Sequence, residues 1–275
     1  MSVATVRGFW DGAPLSPYQL VCLRSFVDHG FRVEVFTYDR ELLFPSWVRR
    51  RDANEILPAT RILQYPPPGF GHGSPALHSN LFRYAMLHAL GGWWIDLDVV
   101  LLSPNLPTMD VFASATPDGI VVNSVLRFPV GHPLLAEAVE RCRERGENCV
   151  WGDTGSALIT PLMAKYQLSP QPLEATYPVH YDEVPLLFDP ARRAEVEARC
   201  ADRCFLHLFN EIWRSSGLDQ RLGPPLHSFL DRLFLQHDPG AEFPARMSSP
   251  EVERAIALMF AGMPAGSRQL ASVVR

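Results

Sequence analysis

Apolar residues along the chain recur with two different periods, and their alternation sketches an α/β protein. The stretch "ATVRGFW", residues 4–10, reads as a first strand that ends on the aromatic pair Phe9 and Trp10. In "PYQLVCLRSFVDHG" the residues Leu20, Leu23 and Val27 recur at helical spacing, which predicts a helix. Ser16 serves as its N-cap, Pro17 as its first residue and Gln19 as the partner in a capping box, and Gly30 ends it. "FRVEVFTY" alternates with period two and reads as a second strand. Strand, helix and strand within about 35 residues make a βαβ unit of the kind that builds parallel sheets.

The chain is then less regular, and the proline and glycine cluster at residues 66–73 marks a loop. Ser74 and Pro75 repeat the cap-plus-proline start and open a helix that runs to about Leu90, closed by Gly91 and Gly92. "WWIDLD" follows as a strand, with Asp96 and Asp98 at or just past its C-terminal end, the edge where open α/β sheets bind ligands. "DGIVVNSVLRF" reads as a strand or hairpin arm, "HPLLAEAVERCRERG" as an amphipathic helix, and "GDTGSALITPLMAKY" as a turn leading into a helix. "CFLHLFNEIWR" is a strand or loop dense in polar and aromatic groups. "SSPEVERAIALMFAG" closes the pattern as a short helix with Ala255, Leu258 and Met259 on one side. The expected architecture is one Rossmann-type α/β domain with a mixed central sheet over residues 1–235, followed by a C-terminal helical appendage over residues 236–275.

Composition narrows the partners more than the fold. With 275 residues, 47% of them hydrophobic and 20% charged, the chain is of ordinary globular type. A net charge of -5 provides no global field for nucleic acid, which is therefore not an expected partner. Lys165 is the single lysine, and arginine supplies the other basic residues. The 5 cysteines are odd in number and lack paired zinc-ligand spacing. The N-terminus shows no signal-peptide pattern, and no apolar run reaches the roughly 18 residues of a membrane span, so a reducing, cytoplasmic setting is expected. The last helix could touch a membrane surface or a second subunit, although its charge and length favour simple packing.

The candidate chemistry lies in "LGGWWIDLDVVLL". Residues i and i+2 of a strand share a face, so Asp96 and Asp98 converge if the extended geometry continues through Leu97. Trp93, Trp94, Ile95, Val99, Val100, Leu101 and Leu102 surround them without a polar group. Two neighbouring carboxylates in such a setting repel and need compensation, which a divalent cation with hard oxygen ligands supplies.

The longer segment "SNLFRYAMLHALGGWWIDLDVVLL" resembles the core signature of the D-x-D glycosyltransferases of the sugar-binding-region type. These form glycosyltransferase family 32, with yeast mannosyltransferase-like and α-1,4-galactosyltransferase-like members. The match falls on Ser79, Arg83, Tyr84, Gly91, Gly92, Asp96 and Asp98. It departs at Asn80, where the family usually has an aspartate that helps to hold the donor sugar. The resemblance continues through "RGFWDGAPLSPYQLVCLRSFVDHGFRVEVFTYD", "VVNSVLRFPVGHPLL" and "GDTGSALIT". "RDANEILP" recurs among bacterial relatives, and "FLHLFNEIWR" is similar to the His-Leu-x-Asn-x-x-Trp segment of the α-1,4-galactosyltransferase-like members. Residues 6–214 are covered in this way.

What the resemblance implies is a GT-A-like fold and a metal-dependent, retaining hexosyltransferase acting on a nucleotide sugar. Mn²⁺ or Mg²⁺ would neutralise the departing diphosphate as a Lewis acid. Asp96, Asp98 and His207 form the implied metal set, with Asp98 chiefly on the metal and Asp96 also touching ribose or sugar hydroxyls. Trp10 would stack on the base. Asn80 and Arg83 share a helical face and would reach sugar hydroxyls or phosphate. Asn123, Thr154 and Gly155 would line the sugar or acceptor pocket, and Asp153 is a candidate acceptor-side carboxylate without an evident partner. No residue is singled out as catalytic base or nucleophile. A UDP-sugar is the favoured donor and GDP-mannose the second. The acceptor stays open among a capsular or lipopolysaccharide glycan, as in bacterial polysaccharide biosynthesis, a protein and a small molecule. The competing reading is a nucleotide-sugar-binding protein without transfer activity, for which Asn80 is the support. A phosphatase of the haloacid dehalogenase type would need its D-x-D on the first strand and a downstream lysine.

Overall fold

Capping chemistry builds the first unit. Strand β1 (Thr5–Phe9) leads to helix α1 (Pro17–Asp28), where Ser16 Oγ accepts from the Gln19 amide and Gln19 Oε1 accepts from the Ser16 amide at 2.6 Å. The chain returns as β2 (Arg32–Thr37), parallel to β1 from Thr5 opposite Arg32 to Phe9 opposite Phe36. The computed structural model describes residues 4–58, 61–68 and 70–262. Gly69 of the expected loop and residues 263–275 of the expected tail therefore lie outside the described residues.

A third parallel strand, β3 (Val48–Asp52), has the sequence VRRRD, which carries no apolar alternation and was not expected from the pattern. Its cause is a tertiary ion cluster. The Glu34 carboxylate on β2 is 3% exposed and takes contacts from Arg7 at 3.0 Å, Arg49 at 3.1 Å and Arg51 at 3.1 Å. Arginines along an outer strand also discourage pairing with other chains.

Helix α2 (Ala76–Leu90) begins two residues after Ser74, with Pro75 rather than Ser74 in the cap position, although Ser74 Oγ accepts from the Ala76 amide at 3.3 Å. Gly91 ends it at φ 60, and Gly92 already belongs to β4 (Gly92–Ile95). β4 lies on the other side of β1 from β2, so the strand order reverses at β1, which makes a topological switch point. After β5 (Val99–Leu101) come β6 (Phe112–Ala115) and β7 (Val121–Phe128), which pair as an antiparallel hairpin. With β8 (Gln171–Pro172) the seven-stranded sheet has the order β3-β2-β1-β4-β7-β6-β8, and β7 is antiparallel to β4. This is an α/β fold with a mixed central sheet and a Rossmann-type first half.

Helices α2, α3 (Pro133–Arg145) and α4 (Ser156–Lys165) cover one face through Phe82, Leu135 and Ile159, packed with Trp94 and Leu126. On the other face Leu23 and Phe26 of α1 pack with Val6, Val33 and Ile95. A third core joins Tyr18 of α1 to Val196 of α5 (Arg193–Cys200), Trp213 of α6 (Asn210–Ser215), Phe234 of α7 (Phe229–His237) and Val252 and Ile256 of α8 (Ser249–Gly262). Thus α8 packs on Val252 and Ile256, with Ala255 and Met259 flanking, whereas Leu258 is 66% exposed and off the expected face. All five cysteines are free.

One buried group gives the fold a pH signature. His78 on α2 accepts at Nδ1 from the Leu63 amide (3.3 Å) and sits 3.0 Å from the Tyr38 hydroxyl at Nε2, while that hydroxyl donates to the Leu57 carbonyl at 2.6 Å. The neutral imidazole satisfies this chain; a second ring proton would face the Leu63 N–H. Burial lowers its pKa to about 4. The unfolded chain therefore binds the proton first, and stability is expected to fall by roughly 2 kcal/mol as pH drops from 6.5 toward 4. Urea titrations across this window should show that slope, and His78→Leu should flatten it.

Candidate active site

A cleft of ≈ 990 Å³ opens beyond the C-terminal ends of β1 and β4, at the switch point. Its walls include Trp10 and Asp11 after β1, Asn80 and Arg83 of α2, Asp96, Asp98, Asn123 of β7, the segment around Trp151, and His207 to Asn210.

The two aspartates do not lie on one continuous strand. β4 stops at Ile95; the Asp96 amide donates to the Ser124 carbonyl (2.8 Å), and the Val99 amide closes a turn onto the Asp96 carbonyl (3.1 Å). The carboxylates nevertheless meet across this turn, and a third partner is brought to them by backbone pairing. β5 pairs antiparallel with β9 (Phe205–His207), with Val99 opposite His207, and the Leu208 amide donates to the Asp98 carbonyl at 2.9 Å. Phe209 then adopts a left-handed conformation (φ 55, ψ 52), and the chain turns so that the Asn210 amide donates to Asp98 Oδ2 at 2.8 Å. His207 Nε2 lies 3.1 Å from Asp98 Oδ1. Asp96, Asp98 and His207 each offer a ligand atom within 4.8 Å of the others.

The two carboxyls are electrostatically unlike. Burial, reinforced by the nearby Asp98 charge, raises Asp96 above the usual carboxylate range despite Arg83. Burial also acts on Asp98, but the His207 imidazole and the Asn210 amide outweigh it and hold Asp98 below that range. Asp96 Oδ1 accepts from Arg83 Nη2 (2.7 Å) and Trp94 Nε1 (2.8 Å). The fit to a divalent cation rests on the donor set and on two buried atoms beside it. His207 Nδ1 and Asn210 Oδ1 have no hydrogen-bond partner among the described residues. Carboxylate oxygens, an amide oxygen and an imidazole nitrogen suit Mn²⁺ or Mg²⁺.

Leu97, between the aspartates, is held by a close approach of β1. A Cβ at Gly8 would lie 2.4 Å from Leu97 Cδ1 and 2.8 Å from the Ile95 carbonyl oxygen. Gly8→Ala is expected to cost about 1–3 kcal/mol through overpacking and to weaken metal-dependent nucleotide binding together with stability. Gly240→Ala, with no atom near the added methyl, is the control; urea midpoints and calorimetry on both variants check the difference.

The remaining expected residues fall into three placements. Trp10 lines the cleft and donates Nε1–H to the Ala13 carbonyl at 2.7 Å. Asn80 and Asn123 also line it and are joined to each other, Asn123 Nδ2 donating to Asn80 Oδ1 at 3.0 Å. Gly155 is on the same wall, but Thr154 sits behind it, 1% exposed, where its hydroxyl accepts from Asn80 Nδ2 (3.1 Å) and its carbonyl from the Tyr84 hydroxyl (3.1 Å). Arg83 is not free to reach a phosphate with Asn80. Its guanidinium is taken by Asp96 and by the Asn123 carbonyl (2.6 Å), and it lies over the Trp94 ring. Asp153 does have a partner, Arg145, at 3.1 Å. Lys165 pairs with Glu137 at 2.7 Å, remote in role from the carboxylates.

Sequence reading missed Tyr177, whose ring stacks on His207 at 5.0 Å and 18°, and no local motif marks it. It also missed Trp94 as a donor to Asp96, although two residues of separation on one strand face was a usable signal. Trp213, the last residue of the His-Leu-x-Asn-x-x-Trp segment, is core, edge-on to Tyr18 at 4.8 Å and to Phe188 at 4.9 Å.

Comparison with known proteins bears on the second half of this site. Residues 127–233 match the family model of the alpha 1,4-glycosyltransferase conserved region, Gb3_synth. The alpha-1,4-N-acetylglucosaminyltransferase of Homo sapiens is 29% identical over 87 residues, which are 32% of this chain and 25% of the human protein. The chain thus spans about a quarter of the length of the curated relative it matches. Among solved structures, the PaToxG glycosyltransferase superposes with a TM-score of 0.44 and 13% identity, over 59% of this chain and 68% of that one. That likeness is distant, and the fold description rests on the strand order itself. The segment that carries His207, Asn210 and Trp213 is thus similar to the conserved region of the α-1,4-glycosyltransferases.

Proposed function

We propose that the chain is a metal-dependent, retaining glycosyltransferase that moves a hexose from a nucleotide sugar, with UDP-sugars favoured, to a glycan acceptor. The observation that carries this reading is the convergence of Asp96, Asp98 and His207 in the cleft, beside the partnerless His207 Nδ1. Asp96, Asp98 and His207 would hold the cation, and a bound Mn²⁺ or Mg²⁺ would supply Lewis-acid neutralisation of the departing diphosphate.

The chain's own residues do the rest. His207 and the Asn210 amide keep Asp98 ionised and fixed in orientation. Arg83 and Trp94 orient Asp96 through Oδ1. Trp10 offers a ring for the base, and Asn80, Asn123 and Gly155 line the sugar pocket, with Thr154 setting the Asn80 amide from behind. No side chain is assigned as base; retention by a front-face route leaves that role to the departing phosphate. Free cysteines support a reducing, cytoplasmic setting.

Incubation with a panel of UDP-glucose, UDP-galactose, UDP-N-acetylglucosamine and GDP-mannose tests the reading; the human relative's name puts N-acetylglucosamine on that panel. Release of nucleoside diphosphate from one donor, stopped by a chelator and restored by Mn²⁺, is the expected result. Tight binding without any release would favour the competing reading, a donor-binding protein in which Asn80 has replaced the family's aspartate. No binding and no release with any donor would sink both.

A further inference from the structure

The cleft has a second wall that the donor chemistry leaves unused. Tyr65 and Phe70, from the segment before α2, and Trp151, from the segment after α3, meet there: Tyr65 and Trp151 at 5.0 Å and 41°, Phe70 and Trp151 at 5.0 Å and 81°. Pro66, Pro67 and Pro68 continue the same apolar surface. Tyr65 is buried, whereas Phe70 and Trp151 are only half-buried and face the cleft.

The indole is half-exposed but held. Gly71, at φ 76, lies so close that a Cβ there would be 2.2 Å from the Trp151 ring, so the backbone braces the ring from one side. Asp153 ties the segment down, with Oδ2 accepting from the Val150 amide at 3.1 Å and pairing with Arg145 at 3.1 Å. Both contacts fall on Oδ2, and Asp153 also lines the cleft, so Oδ1 is left to accept from a ligand there. A rigid, half-exposed aromatic face pays little conformational entropy on binding. The wall adjoins the pocket lined by Asn80, because the Tyr65 hydroxyl accepts from Asn80 Nδ2 at 3.4 Å. Trp10, the ring suited to a base, belongs to a different segment, directly after β1.

A pyranose has a face of C–H groups and a rim of hydroxyls. The C–H face meets the negative face of an aromatic ring, and a rim hydroxyl can donate to a carboxylate. Asp153 is already paired with Arg145, so it offers an acceptor and not an unpaired charge, which suits a neutral ligand. We infer that Trp151, Phe70 and Asp153 form an acceptor subsite, which takes the apolar face of a terminal pyranose of a neutral glycan. This assignment rests on the glycosyltransferase reading above.

Saturation-transfer NMR on the full chain, with UDP and Mg²⁺ present, tests it using lactose, N-acetyllactosamine, chitotriose and maltotriose as probes. At least one is expected to receive saturation on the C–H protons of one ring face. Trp151→Ala should reduce that transfer about fivefold or more, and Trp151→Phe should restore part of it. Asp153→Asn should weaken it less. UDP affinity, measured by calorimetry on the same samples, should stay within about twofold for all three variants, since the wall meets the donor side at the sugar pocket and not at the cation or at Trp10. Loss of UDP affinity in Trp151→Ala with saccharide transfer unchanged would make the indole a base platform and overturn the inference. A wild type that binds UDP but none of the four saccharides also overturns it, and leaves the donor reading standing. A wild type that binds neither removes both.

Discussion

Asp98→Asn is expected to lower donor turnover by about 10²–10³-fold while leaving the fold intact. Asp98 is the better ionised of the two carboxyls, and both its oxygens are engaged: Oδ1 with His207 Nε2 and Oδ2 with the Asn210 amide. An amide of the same size removes the charge. It also turns an NH₂ toward one of these two donors, so one contact becomes donor against donor. With the NH₂ facing Nε2, His207 loses its Asp98 anchor and no longer presents a fixed ligand atom, as happens when the outer partners of metal ligands are removed. The fold is expected to hold, with a loss of about 1–2 kcal/mol from the one mismatched contact of a side chain that is 14% exposed. Donor hydrolysis under saturating Mn²⁺, with a thermal melt in parallel, checks both halves. Turnover within a few-fold of wild type would mean that Asp98 is a turn residue and nothing more.

Arg83→Leu has the larger expected effect on stability, about 3 kcal/mol or more. The Arg83 side chain is 4% exposed and Asp96 25% exposed, and the pair meets at 2.7 Å. Removing the guanidinium strands a carboxylate that burial already pushes toward its protonated form, and leaves the Asn123 carbonyl without its donor at 2.6 Å. Arg83→Lys should recover only part of the loss, since an ammonium cannot fork to Asp96 and the Asn123 carbonyl in one plane. Urea unfolding of Arg83→Leu, Asp96→Asn and the double variant gives the coupling, expected well above the roughly 1 kcal/mol of an exposed ion pair. A coupling near zero would show that Arg83 and Asp96 are held by their separate surroundings.

The parts of this protein that could be read in the sequence are those fixed by near neighbours. The capping box of Ser16 and Gln19, the alternation of β2 and the isolated charges of Asp96 and Asp98 are all local, and the capped helix and the β2 strand formed as expected. The approach of His207 to Asp98 was legible only because its segment resembles a known one; geometrically the β5–β9 ladder carries His207 to a residue 109 positions earlier. Where the reading failed, a tertiary partner had taken over. VRRRD forms β3 because Glu34 collects its arginines, and Arg83 looked free for a phosphate because nothing in its helix points to Asp96. Thr154 was expected on the wall and lies behind it, since its hydroxyl serves Asn80. The turn at Leu97 replaced a continued strand, and Gly8 on the neighbouring strand is the residue that leaves room for it.

The central claim is that Asp96, Asp98 and His207 hold a divalent cation for a nucleoside diphosphate. Isothermal calorimetry of UDP and GDP, with and without Mn²⁺, on the wild type and on Asp98→Asn tests it most directly. The account predicts UDP binding that requires Mn²⁺ in the wild type and disappears in the variant. Binding that ignores Mn²⁺ and survives Asp98→Asn, or no binding of either nucleotide with the metal present, would contradict it.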